Sequence, residues 1–176
     1  SYHVVTVAGT AVLYGFTITG GNGTQGGGVF NRYGMPQIIN CTIRGNSVGG
    51  AGGGIYNDLA SLILVNCTFT DNFAGSRGGA IGSYDESILS LVNCTFSHNS
   101  AWYGGGAMHN HSSTPNLLNC TFIENFSRYG GAMFNETSEL ALANCAFRSN
   151  HGYDYGGGMY NTLGSALTLK NCTFIA

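Results

Sequence analysis

The chain has 176 residues, of which only 8% are charged, and its formal net charge is -2. So sparse and balanced a charge offers no basic surface for phosphates and argues against nucleic acid as a partner. No apolar run nears the roughly 18 residues of a membrane span, and 29 glycines without a triplet period exclude collagen. Hydrophobic residues at 43% and aromatics at 12% suit one folded domain, residues 1–176, rather than a linker.

The chain opens in short apolar alternations, "SYHVVTVAGTAVLYGF", and "GFTITGGN" at Gly15–Asn22 is a weak first copy of a phrase that follows. "GGGVFN" at Gly26–Asn31 comes next; its small residues permit a tight bend, and Val29 is the first of an inward column. Pro36 lies five residues before Cys41, and proline suits the first residue of a strand. "NCTI" at Asn40–Ile43 and Asn46 then close the unit, and a variable loop, "SVGGA", leads on.

From here the same unit recurs. The cysteines are Cys41, Cys67, Cys94, Cys120, Cys145 and Cys172, at spacings of 26, 27, 26, 25 and 27. Each follows an asparagine: Asn40, Asn66, Asn93, Asn119, Asn144 and Asn171. The glycine phrase keeps the same period, as "GGGIYN", "GGAIGS", "GGAMHN", "GGAMFN" and "GGGMYN". Two motifs repeating in phase mark a repeat architecture. Within each unit, alternations such as "SLILVNCTF" are too short for helices and suit strands separated by Gly, Asn and Ser turns.

The predicted fold is all-β: a parallel β-helix of about six to seven coils of 25–27 residues, with three short strands per coil stacked about 4.8 Å apart. In-register stacking explains the identical columns. Leu62, Leu64, Cys67 and Phe69 are read as inward, with a corner near Val65–Asn66. The asparagine before each cysteine, tolerant of left-handed backbone, is read as an internal asparagine ladder.

The "GGA[IM]" phrase followed by "CTFxxN" resembles the polymorphic outer-membrane-protein repeat of chlamydial surface autotransporters and many bacterial β-helix surface proteins. The likeness spans about Gly15 to Phe174. It implies a right-handed helix, in keeping with the crossover rule, at an extracellular or cell-surface site in a prokaryote. It leaves function open, because this architecture serves adhesins, lyases, hydrolases and phage spikes alike.

The cysteine column reads as packing, since cysteine behaves as a small buried hydrophobe. Parallel Cβ vectors suit a disulfide poorly. A line of thiols cannot converge on zinc, so neither a metal nor another cofactor is expected. Five copies of Asn-Cys-Thr match the N-glycosylation sequon, but asparagines expected inside the coil are read as structural.

Two columns could carry chemistry. Asp71, His98 and Glu124 fall on consecutive rungs, four residues after the cysteine. Their carboxylates, two rungs and roughly 9–10 Å apart, come near the spacing of an inverting glycosidase pair. Arg32, Asp58, Tyr84, His111 and Glu136 form the second column. Alternating charge along an exposed column also has a plain structural reason, avoidance of like-charge stacking.

Phe30, Tyr56, His109, Phe134 and Tyr160 alternate with the inward Val/Ile/Met column and are expected to face out, with Gly82 interrupting the row. Trp102, Tyr103, Tyr129, Tyr153 and Tyr155 sit in the adjoining loops. Such a stripe suits sugar rings or a partner surface, unless the loops fold over it. Ile39, Val65, Val92, Leu118 and Ala143 form a further apolar column, outward or tucked at the corner. A threonine column from Thr17 to Thr173 is spoiled for ice binding by Arg44 and Arg148 beside it.

The pattern starts and stops without polar caps, as in a section of a longer solenoid or a unit that stacks end to end. The expected function is a non-catalytic extracellular spacer, adhesin segment or filament subunit. Its expected partners are its own copies, the neighbouring coils, and a glycan or cell-surface ligand. The alternative is a polysaccharide hydrolase or lyase using Asp71, His98 and Glu124.

Overall fold

The computed structural model describes residues 2–162 and 164–176. In the coil that begins at Gly52 the strands are Ile55–Asp58, Ser61–Val65, Thr68–Thr70 and Phe73–Ala74. The equivalents of the first three stack into seven-stranded parallel sheets. The fourth, two to five residues long, forms a five-stranded sheet that the three-strand expectation missed. In the first sheet register follows the sequence columns without slip: Val29, Ile55, Ile81, Met108, Met133 and Met159 are successive partners; in the fourth it shifts between Ser127 and Tyr129.

Left-handed backbone turns the chain between sheets. Between the second and third sheets it falls on Asn40, Asn66, Asn93, Asn119, Asn144 and Asn171, at φ of 51° to 55°. Between the third and fourth it falls on Gly45, Asp71, His98, Glu124 and Ser149. A non-glycine residue held there costs roughly 1–2 kcal/mol, least for Asn, so the corners are tolerated because the sheets on either side fix them.

The core is a stack of columns. Leu62, Leu64, Cys67 and Phe69 are all buried. Phe69, Phe96, Phe122 and Phe147 lie face to face at 4.7–4.8 Å. Each buried phenylalanine contributes about 1.5–3 kcal/mol of burial. All six cysteines are free thiols; Cys67 Sγ donates to the carbonyls of Ile38 and Val65 at 3.2 and 3.4 Å. Pro36 and Pro115 are the second, not the first, residues of their strands, and both point inward.

The asparagine assignment needs correcting. Asn40, Asn66, Asn93, Asn119, Asn144 and Asn171 do form a ladder, each amide donating to the one before, at 3.1 Å for Asn66 to Asn40. That ladder is on the outside, exposed at every rung. Because Leu64 and Cys67 both point inward, the two residues between them must both point out. The internal ladder is the asparagine five residues after the cysteine: Asn46, Asn72, Asn99 and Asn125 are fully buried. Asn72 Nδ2 donates to the Ile43 carbonyl at 2.9 Å and to Asn99 Oδ1 at 3.0 Å. Asn72 Oδ1 accepts from the Asn46 amide and side chain. Every polar atom of that amide is therefore paired inside the coil, as a buried amide requires.

Candidate functional site

The aromatic row predicted to face solvent is continuous but covered. Phe30, Tyr56, His109, Phe134 and Tyr160 stand on adjacent strands of the first sheet, and none of them is exposed. Tyr56, His109 and Phe134 are buried outright, at 9%, 0% and 3% exposure. The cover comes from the C-terminal ends of fourth-sheet strands, Phe126–Tyr129 and His151–Tyr155, and from the loop after Ser100–Ala101. Tyr103 and Tyr129 lie 6.4 and 6.2 Å from Phe134, and Tyr155 stacks on Tyr160 at 5.5 Å. The Arg77 guanidinium sits 4.6 Å over Tyr103 and 5.8 Å over Phe134. The first-sheet residues thus form a second core outside the coil, with Tyr103, Tyr129 and Tyr155 as its lid.

Gly82 does not break the row. Tyr84, two residues on, swings its ring into the gap, stacked 5.2 Å from Tyr56 and tilted against His109 at 5.2 Å. Its hydroxyl donates to His109 Nδ1 at 3.1 Å. His109 Nε2–H donates to Glu136 Oε2 at 2.8 Å, and Arg77 Nη1 reaches the same oxygen at 3.2 Å. Burial pushes the His109 imidazole down to about 4, so it is neutral at pH 7 and can make both bonds at once. Burial raises the Tyr84 phenol, and the His109 hydrogen bond holds the Glu136 carboxyl below its usual range. The arrangement of hydroxyl, imidazole and carboxylate is that of a proton relay, but its imidazole is sealed. Its chemistry here is to satisfy buried polar atoms within an aromatic stack.

Asp71, His98 and Glu124 occupy corner positions with φ of 55°, 55° and 51°. His98 Nε2 pairs with Glu124 Oε2 at 2.7 Å, and both side chains are 56% exposed. Thr70 Oγ1 donates to Asp71 Oδ2 at 3.2 Å. His98 thus stands on the rung between the two carboxylates and is paired with one of them. The second column splits: Arg32 pairs with Asp58 at 3.0 Å, His111 stands 3.8 Å from Asp85, and Glu136 turns into the buried relay.

A separate exposed aromatic cluster lies along the fourth sheet and the loop beside it. Trp102 and Tyr153 are each 76% exposed. With Phe126 and Arg128 they line a shallow surface depression. Phe126 stacks on His151 at 5.5 Å, and Arg128 pairs with Asp154. Trp102 was legible as a loop aromatic; Phe126 and Arg128 were not. The signal was there: Ser127 is buried, so its neighbours in "NFSRYGG" must point out, but this follows only once the segment is seen as a strand. Among the described residues no group of His, Cys, Asp and Glu is arranged to hold a metal ion.

The family described as "right handed beta helix region" matches residues 15–176. The chain belongs to the right-handed β-helix family. The match covers every coil from Gly15 onward and agrees with four parallel sheets in one solenoid. No curated protein matches this β-helix, and no solved structure does. Among the described residues no helix is long and apolar enough to cross a membrane.

Proposed function

We propose that this β-helix is a non-catalytic, extracellular surface module of a prokaryotic protein: a rigid spacer that presents a glycan-binding patch. The single observation that carries the reading is the cluster of Trp102, Phe126 and Tyr153 around Arg128, three exposed rings gathered with an ion-paired guanidinium at one surface depression. Large aromatic rings left in water mark binding surfaces. Flat rings stack on the C–H faces of sugars, and the Arg128–Asp154 pair offers a donor and an acceptor for hydroxyls beside them. The phrases "GGAMHN" and "NCTF" support the narrower likeness to polymorphic outer-membrane-protein repeats and the adhesin role that goes with it. The rung at Asn171, Cys172 and Phe174 repeats the columns beneath it. A further coil of the same pattern would add to it with the same chemistry. The test is binding to a panel of immobilised polysaccharides with Trp102→Ala and Tyr153→Ala. Each is expected to weaken binding at least tenfold, an effect of about 1.4 kcal/mol; equal binding by both variants would remove the patch from the account.

A second reading, a polysaccharide hydrolase or lyase, draws on the exposed His98–Glu124 pair beside Asp71. It requires cleavage of a polysaccharide that Glu124→Gln abolishes; release of no reducing ends or unsaturated product across the same panel would end it.

A further inference from the structure

The outer face of the second sheet differs from the other surfaces. Its seven strands, from Thr10–Tyr14 to Ala166–Lys170, each turn three side chains outward. Glu139 and Lys170 are the only charges among them. The rest includes Val12, Tyr14, Met35 and Ile88, each more than half exposed. Nothing in the described residues covers this face, whereas the aromatic row on the first sheet has its lid.

Side-chain size along the face follows a gradient. The early rungs carry bulky residues, such as Tyr14, Met35 and Ile39. The sixth carries Ala141 and Ala143, which floor an apolar depression walled by Val92 and Leu118. The bulky and hollow parts share one surface, so the surface can complement itself if a copy is turned end for end.

We propose that this face is an interface between two copies of the chain. The two-fold axis runs along the strand direction at the rung of Ile88–Val92, so the coil axes lie antiparallel and the sheets pack face to face. The interface is isologous: each contact is made twice, and Val92 meets its own symmetry mate. Under that operator Ile39 and Gln37 of one copy face Ala143 and Ala141 of the other, and Tyr14 faces Lys170, where a cation can lie over its ring. The area also fits. Five-residue strands at about 3.3 Å per residue and seven rungs at about 4.8 Å give roughly 500 Å² per copy. The total of about 1,000 Å² is the lower bound for a specific protein–protein interface, so the dimer is a weak one.

The experiment is sedimentation velocity with light scattering on the whole chain, from about 1 μM to about 1 mM, a range that brackets weak association. The expected result is a rise from 18.4 kDa to twice that mass and no further. Val92→Glu sets two carboxylates against each other, and Ala141→Arg fills the hollow; each is expected to shift the midpoint at least tenfold with an unchanged circular-dichroism spectrum. The chain staying monomeric throughout would overturn the proposal, leaving the face to another occupant. So would association that continues past two copies, or a dimer whose midpoint neither Val92→Glu nor Ala141→Arg moves.

Discussion

The ring of Tyr84 fills the slot that Gly82, two residues earlier, leaves open in the aromatic row, stacked 5.2 Å from Tyr56 on one side and tilted against His109 at 5.2 Å on the other. One column thus borrows a side chain from the next, and the row passes unbroken over a position with no ring of its own. A Cβ at Gly82 would meet Tyr84 Cε2 and the Gly52 amide nitrogen, each at 3.1 Å. Gly82→Ala is therefore expected to cost about 1–3 kcal/mol through overpacking. Tyr84→Ala should cost about 3–5 kcal/mol, as for other large aromatics cut back to alanine. Urea midpoints compared with the unmodified chain test both, and a neutral Gly82→Ala would show that Tyr84 is not confined by the gap.

The buried relay makes stability depend on pH with a definite sign. In the fold burial pushes His109 down to about 4, against about 6.5 in the unfolded chain. As pH falls below about 6.5 the unfolded state takes up a proton that the folded state refuses, so stability is lost from there down to pH 4 and then levels. The difference corresponds to about 3 kcal/mol at full effect. Glu136 acts in the same direction, since its lowered carboxyl gives stability that vanishes as pH falls through its folded value. His109→Phe keeps a ring in the row and removes the larger part of this slope. Urea midpoints at pH 7 and pH 4 should converge for that variant; an unchanged acid loss would place the titration elsewhere.

The two asparagine ladders separate by burial. Removing the Asn72 side-chain amide leaves the Asn46 backbone amide without a partner inside the coil, and takes one bond each from the Asn46 side chain and the Ile43 carbonyl. An orphaned buried group costs about 1–3 kcal/mol, and the two lost bonds add to it, so Asn72→Leu is expected to cost about 3 kcal/mol or more and to weaken the rungs above and below. Asn66 is exposed and its left-handed corner at φ 53° suits glycine, so Asn66→Gly should change stability by less than about 1 kcal/mol. Equal effects of the two substitutions would mean that the ladders are not inside and outside as described.

That distinction marks how much of this molecule was legible. The period, the parallel stacking, the Leu62–Phe69 inward set and the corner near Asn66 follow from repeat and alternation alone, because identical rungs impose identical environments. Whether Asn40 and its kin face in or out was misread from the same letters. Asparagine serves equally at a left-handed corner and in an internal amide ladder, and only counting residues between Leu64 and Cys67 separates the two. The exposure of the Phe30–Tyr160 row was not legible, because it depends on loops of varied sequence folding back, and the size of Tyr103 and Tyr129 says nothing of their direction. The fourth strand was hidden by its length of two residues in most coils, and with it the outward Phe126 and Arg128.

The Asp71, His98 and Glu124 column gives a further test of what its residues are for. They share a left-handed φ, 51° to 60°, with Gly45 in the same column. Glycine relieves roughly 1–2 kcal/mol of strain at such a position, offset in part by the added freedom of the unfolded chain. The exposed His98–Glu124 pair contributes at most about 1 kcal/mol. Glu124→Gly is accordingly expected to leave stability unchanged or raise it by about 1 kcal/mol, whereas Glu124→Val should lower it by about 1–2 kcal/mol, because a β-branched residue suits that backbone least. A loss of stability in Glu124→Gly as large as in Glu124→Val would mean that the side chain, and not the corner, sets the energetics there.

Binding and stability should part company between the two aromatic sets. Phe134 lies in the covered row at 3% exposure, and Trp102 stands out at 76%. Phe134→Ala is expected to cost about 3–5 kcal/mol of stability while glycan affinity, measured well below the unfolding transition, stays within twofold. Trp102→Ala is expected to do the reverse: a thermal midpoint within about 2 °C of the unmodified chain, as for a surface change under about 0.5 kcal/mol, and binding weakened at least tenfold. The covered row would regain a binding role only if Phe134→Ala lost affinity while still folded, which would require the lid of Tyr103 and Tyr129 to open when the ligand arrives.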